Sequence, residues 1–444
     1  MAVDGELRSL QPSVVYRDGG GERTGRPAWD VQREHPTQVA TDHWAELARE
    51  PVPPAAAALA TAELRERLAT LPGSGVTENP PSWLLAPATF EAGALGAVLS
   101  IARAAGLAPA GFVDASVVTT AALGLEGPVL VLELGLHHLA ATTVICGDRV
   151  RRGRVSVGQC GGLIDLYQGW LQMIAAAMVK RTRFDPLHEG STEQQLFSAL
   201  PALAREAAGC GMARATLEVR GECFEVELSR DQFAQAARDL YRELLRLVHE
   251  LRPAGMALTI VAPAVMAELP GLRAELEQLS GCELVAIYDG LAAVAATRLR
   301  APLVGASAEC VPLLRALPRR ASVVVPESAI AARWRLGSAA GALRRPTHLL
   351  FAGRAVELGE GPLEIGRDHA VAAGAIRLPE GLAGVSRRHC SLRREGDGVL
   401  LIDHSRFGTR VNGERVAGRV QLHAGDRLRI GDPGVELDLI AVGE

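Results

Sequence analysis

LEIGRDHAVAAGAIRLPEGLAGVSRRHCSLRREGDGVLLIDHSRFGTRVNG, residues 363–413, is the stretch on which the reading of the chain turns. It opens on a strand-like run ending in Gly366-Arg367, continues to Ser386-Arg387-x-His389 ahead of an alternating strand, and closes on Gly408-Thr409-x-Val411-Asn412-Gly413. From Thr347 onward helical periodicity gives way to short alternating runs between glycine turns, the pattern of an all-β sandwich. The Arg367 guanidinium is a planar, permanently charged fork, and the Ser386 hydroxyl is a neutral donor beside it. A phosphothreonine carries about −1.5 to −2 charges, so such contacts contribute roughly 1.5–3 kcal/mol each. An isolated Gly-Arg is ordinarily a turn, and an isolated Ser-x-x-His is ordinarily structural. Together, in order and on a β background, they point to a loop set that holds a phosphate.

Working outward, 444 residues are enough for two or three domains, and 48% hydrophobic with 22% charged residues is ordinary globular usage. A formal charge of −4 and a pI near 6.3 argue against a nucleic-acid binder. The seven cysteines are scattered with no C-x-x-C pair, which indicates neither a zinc knuckle nor a disulfide framework and fits a reducing compartment. His137 and His138 are adjacent on a hairpin, so they face opposite ways, and no metal site is expected. No N-terminal apolar core and no membrane-length apolar run is present. The expectation is a cytoplasmic protein with no nucleic-acid or membrane partner. Lys180 is the only lysine, so a lysine-based catalytic site is nearly excluded.

Upstream, strands and helices alternate, which argues α/β. Val129–Leu134 is a continuous apolar run suited to a strand buried on both faces, and Leu139–Cys146 follows across a short turn. Val155–Cys160 is expected as a third strand and Ile164–Val179 as an amphipathic helix. Ser229 with Gln232 forms a capping-box start for one helix running to about Leu251. Leu258–Ala262 and Val285–Ile287 are further strands, with a helix at Leu272–Leu279 between them. Residues 301–345, rich in Ala, Pro, Gly and Arg, are expected to be a linker with one short strand at Ser322–Val325.

The motifs of residues 347–441 resemble the forkhead-associated (FHA) domain, an eleven-stranded β-sandwich that reads phosphothreonine peptides through loops at one end. That resemblance implies phosphopeptide contacts from Arg367, Ser386, Arg387, Arg406 and Thr409, with Gly366, His389, Gly408, Asn412 and Gly413 supporting the binding loops. Many members carry Thr-Asn-Gly-Thr where this chain has Ser405-Arg406-Phe407-Gly408-Thr409. Arg406 can add charge, whereas Phe407 cannot hydrogen-bond a peptide backbone, so altered peptide selectivity is expected. The implied partner is a phosphothreonine-containing protein, the substrate of a Ser/Thr kinase.

Residues 10–300 are similar to the nucleotide-binding domain of heat-shock protein 70 (DnaK-type) chaperones, within the actin-like ATPase fold. The similarity rests on Pro12-Ser13-Val14-Val15, on the strand and helix succession of Leu84–Leu125, on the Val129–Val144 hairpin, on Gly161-Gly162 and on Ile260–Leu276. It implies a vestigial nucleotide site at Glu133, Gly135, Gly161 and Gly162, too degenerate for ATP with magnesium to be counted on as a cofactor. The loop Glu133-Leu134-Gly135-Leu136-His137-His138 is bulky where the family has Gly-Gly-Thr. Ala115 replaces the catalytic glutamate, and Ala262-Pro263-Ala264 replaces Gly-Gly-Ser. The family's first Asp-x-Gly-Thr hairpin is missing ahead of Pro12, so either the start lies upstream of Met1 or another element covers the exposed sheet edge. The expected organisation is a degenerate actin-like α/β domain over 1–300, a linker over 301–345 and an FHA sandwich over 346–444. The expected function is a non-enzymatic phosphothreonine-binding scaffold or adaptor. An ATP-dependent chaperone targeted by its FHA domain is the alternative, and a pair of structural modules within a larger assembly is a third reading.

Overall fold

A computed structural model describes residues 1–71, 81–253, 256–279, 281–298, 311–319, 327–336, 345–367, 375–379, 381–395, 398–431 and 434–442. Its centre is a seven-stranded sheet ordered Ala316–Pro318, Arg149–Val157, Leu139–Cys146, Gly127–Leu134, Leu258–Pro263, Cys282–Ile287, Ile330–Leu336. Gly127–Leu134 pairs antiparallel with Leu139–Cys146 and parallel with Leu258–Pro263, which in turn pairs parallel with Cys282–Ile287. Its residues Val129–Leu132 are all buried, as expected of a central strand covered on both faces.

Helices cover the sheet because their apolar residues recur on one side. In Arg238–Leu251 the buried residues Leu240, Tyr241, Leu244, Leu247, Val248 and Leu251 fall at helical spacing. In Leu163–Thr182, Trp170 is buried and its Nε1–H donates to the Phe233 carbonyl at 3.1 Å. The capping box at Ser229 is present, but it starts a short helix, Arg230–Ala236, and a second helix begins at Arg238. The strand expected at Val155–Cys160 begins six residues earlier. Arg149, Arg151, Arg152 and Arg154 mask its alternation, and a bulge between Arg152 and Val155 interrupts the register. The helix expected at Leu272–Leu279 spans Leu272–Leu276.

The linker expected over 301–345 is corrected by three strands. Leu313–Leu314 extends the small parallel sheet of Pro81–Ala86 and Ala108–Asp114. Ala316–Pro318 pairs with Arg149–Val157, and Ile330–Leu336 pairs with Cys282–Ile287, so this segment closes both edges of the seven-stranded sheet. Edge strands are short and carry solvated charge, which is why Ala, Pro and Arg disguise them in sequence. The strand expected at Ser322–Val325 lies outside the described residues. At the N-terminus Ala2–Val3 and Glu6–Leu7 form a hairpin whose Leu7 side chain packs on Gly290. It does not pair with Pro81–Ala86, whose outer edge has no strand partner among the described residues. No helix among the described residues is long and apolar enough to cross a membrane.

The C-terminal part is a β-sandwich with its own hydrophobic core, centred on Leu349, Ile365, Leu392, Leu401, Leu428 and Leu437. One sheet has six strands and the other five. One end of the sandwich rests on the last turn of helix Arg238–Leu251. Arg252, just past that helix, and Asp426 are both fully buried and form an ion pair at 3.9 Å. Asp426 also accepts from Asn412 Nδ2 at 2.9 Å and from the His423 N–H at 2.8 Å. A Cβ at Gly413 would lie 2.6 Å from the Glu250 carbonyl, so the Asn412-Gly413 turn, with φ of 50° and 82°, sits against the helix terminus. Removing one partner of a buried ion pair strands the other charge away from water. Asp426→Ala should therefore destabilise the chain by about 3–5 kcal/mol in chemical denaturation. A loss below about 1 kcal/mol, the scale of an exposed pair, would show that this contact does not hold the sandwich in place.

Candidate phosphothreonine-binding site

Three loops meet at the other end of the sandwich. Strand Leu363–Gly366 delivers Arg367, which is exposed and whose N–H donates to the Ser386 carbonyl at 3.2 Å. Gly366 is dictated by this approach, because a Cβ there would collide with the Arg387 carbonyl. The Ser386 N–H donates to His389 Nδ1 at 3.1 Å. Burial holds the His389 imidazole below its usual range, although Asp403 and the Gly408 backbone oppose that shift, and the neutral ring keeps Nδ1 as an acceptor. His389 is fully buried and also fastens strand Leu363–Gly366 by donating its N–H to Ile365 O at 2.8 Å.

The loop from Ser405 to Gly408 is shaped by Asp403. Its Oδ1 accepts from the Ser405 N–H at 3.1 Å and from Thr409 Oγ1 at 3.0 Å, and its Oδ2 accepts from the Thr409 N–H at 3.3 Å. Burial raises the Asp403 pKa, but these donors outweigh it and hold the carboxyl below its usual range. Ser405 Oγ accepts from the Gly408 N–H at 2.7 Å, and Gly408 takes φ of 92°. The Arg406 N–H donates to Ser386 Oγ at 3.3 Å, which joins the two loops and leaves the hydroxyl proton of Ser386 free to donate. The Arg406 guanidinium lies 5.7 Å from the centre of the Phe407 ring, and Phe407 is 64% exposed.

Arg367, Ser386, Arg387 and Arg406 are thus gathered at one end. Among the described residues none of these three arginines has a carboxylate in salt-bridge range, whereas neighbouring Arg388 is held by Glu364 through two 2.7 Å bonds. The arrangement presents several unneutralised guanidinium groups around a hydroxyl donor, which suits a dianionic phosphate. Three expected positions fall elsewhere. Thr409 is fully buried with its hydroxyl given to Asp403, so it braces the loop and does not face a ligand. Asn412 and Gly413 lie beyond strand Thr409–Val411, where they hold the docked end and not the binding loops. Asp403 is the functional residue that the motif reading missed. Its spacing of two residues before Ser405 and six before Thr409 is the available signal, an Asx turn joined to a strand start.

The FHA family model matches residues 363–431, and the chain carries an FHA domain there. No curated protein matches the chain.

In the α/β part, Glu133 is half-buried. Its Oε1 accepts from Ser116 Oγ at 3.3 Å, and burial together with nearby Asp114 raises its pKa. Asp114 caps helix Ala115–Leu123 and meets Arg152 at 3.2 Å. The Gly135 and Leu136 carbonyls accept from the Leu163 and Ile164 N–H groups at 2.9 and 3.0 Å, and a Cβ at Gly162 would strike Gly135 O. Gly161 closely approaches the Asp165 side chain. Leu136 and His138 project into a cavity of about 550 Å³ bounded by Trp44, Leu85, Phe90 and Phe112.

If Thr409 is a brace, Thr409→Val leaves Asp403 short of a donor and should lower stability by about 1–3 kcal/mol. Binding should then weaken less than it does on loss of a phosphate ligand. A variant of unchanged stability that no longer binds phosphothreonine peptide would return Thr409 to a contact role.

Proposed function

We propose that this chain is a phosphothreonine-dependent scaffold or adaptor, in which the FHA domain reads a phosphorylated partner and the α/β part is a pseudo-ATPase of the actin-like, heat-shock protein 70 type. The observation that carries the first half is the convergence of Arg367, Ser386 and Arg406 on one end of the sandwich, with the Ser386 hydroxyl tethered by the Arg406 amide. Arg367 and Ser386 bind the phosphate, Arg387 and Arg406 add charge, and the partner is a kinase substrate. The actin-like assignment is supported by the sheet itself, in which an antiparallel three-stranded meander feeds two further parallel strands through helical connections.

The pseudo-ATPase reading is supported by the chemistry of the cleft. A phosphate cradle needs free backbone N–H groups and small residues. Here the loop presents Leu136, His137 and His138, its carbonyls are tied to the following helix, and Glu133 is held by Ser116. Ala262-Pro263-Ala264 offers no glycine for close approach on the adenosine side. The alternative, an ATP-driven chaperone directed by its FHA domain, requires magnesium-dependent micromolar ATP binding with turnover. Calorimetric titration of the full chain separates the two.

For the FHA site, Arg367→Ala should abolish capture of a degenerate phosphothreonine peptide library by the full chain. Because Arg367 is exposed, the variant should keep its unfolding midpoint. Undiminished capture would remove Arg367 from the site.

A further inference from the structure

On the outer face of the six-stranded sheet, Arg410 lies directly opposite Arg415 on one neighbouring strand and opposite Arg429 on the other. Paired residues of antiparallel strands share a face, with Cβ atoms about 4.5–5.5 Å apart. All three are exposed, while Thr409, Val411, Leu428 and Ile430 between them point into the core. Like charges placed directly opposite one another are destabilising. Among the described residues no carboxylate lies in salt-bridge range of Arg410 or Arg415. The polar contact given for Arg410 is Nη1 donating to Gly413 O at 3.1 Å, which leaves most of its fork unused.

This row begins at the reading loops. The Arg415 side chain folds back over Gly408, the last residue of the Ser405–Gly408 loop. On the other side Gly431, which follows strand Arg427–Ile430, abuts the loop leading to Ser386: a Cβ there would lie 2.8 Å from Val385 Cγ2 and 3.0 Å from Ala383 O. A segment held by its phosphate at Ser386 therefore has a strip of positive charge beside it. Phe407 also stands where a residue able to hydrogen-bond the peptide backbone is absent, so selectivity must come from another source.

We propose that the strip formed by Arg415 and Arg410 receives the acidic continuation of the bound segment, so that the module selects a phosphothreonine followed or preceded by a run of negative charge. The inference rests on the phosphothreonine reading of the FHA site. Carboxylates and a second phosphate offer the same chemistry to the strip, and the peptides below distinguish them.

The test uses the full chain and fluorescence anisotropy with phosphothreonine peptides that have neutral flanks, three glutamates on the C-terminal side, three glutamates on the N-terminal side, or a second phosphothreonine replacing the glutamates. The expected result is that one charged-flank peptide binds about tenfold more tightly than the neutral one, the sum of several exposed ion pairs. That advantage should shrink as salt is raised and vanish in the double variant Arg410→Gln, Arg415→Gln. Affinity of the double variant for the neutral-flank peptide should match that of the original chain, which also shows that the variant is folded. Equal binding of neutral and charged flanks by the original chain, or an advantage retained by the double variant, overturns the strip while leaving the phosphothreonine site standing. Failure of every phosphothreonine peptide to bind overturns the underlying reading and the strip with it.

Discussion

The buried carboxylate of Asp426 is the constraint from which the arrangement of the molecule follows. It holds the Asn412 side-chain amide and the His423 N–H within the sandwich, and it faces Arg252 at the end of a helix of the α/β part. A charge taken out of water persists only where partners and hydrogen bonds satisfy it, and here those partners come from both parts of the chain. The Asn412-Gly413 turn, the His423–Asp426 turn and the helix end are therefore assembled as a unit. The strands run from that unit to the opposite end, so the loops bearing Ser386 and Arg406 take no part in the contact.

At that opposite end the design is different in kind. Buried His389 and half-buried Asp403 shape the loops, and the exposed Arg367, Arg387 and Arg406 have no counter-charge among the described residues. His389 fixes the Ser386 backbone, Asp403 fixes the Ser405–Thr409 turn, and the Arg406 amide ties one loop to the other. Preorganised donors need little rearrangement when an anion arrives, which is how a small exposed site gains affinity. The α/β part shows the reverse economy. There the Gly135 and Leu136 carbonyls accept from N–H groups of the following helix, and Leu136 and His138 line the neighbouring cavity.

Much of this was legible in the sequence because it depends on local pattern. The central strands and the buried helix faces follow from continuous or periodic apolar runs, the three motif spacings together mark the sandwich, and Gly-Arg and Ser-x-x-His mark loops that meet at its free end. What escaped depends on long-range pairing. Leu313–Leu314, Ala316–Pro318 and Ile330–Leu336 look like a linker because edge strands need little apolar surface, and their partners lie up to about 200 residues away. Thr409 reads as a phosphate ligand in a motif and as a brace once Asp403 is seen beside it. Asn412 and Gly413 belong to the docking end because strand Thr409–Val411 carries the chain across the sandwich, and sequence adjacency hides that distance.

The most direct measurement is a crystal structure of the full chain bound to a phosphothreonine peptide recovered from a library. The account predicts the phosphate at Ser386 Oγ and the Arg367 guanidinium, with the loop at Ser405–Gly408 unchanged and the Asp426–Arg252 contact intact. A phosphate seated on any other face, or a peptide bound through the Asn412-Gly413 end, would contradict it.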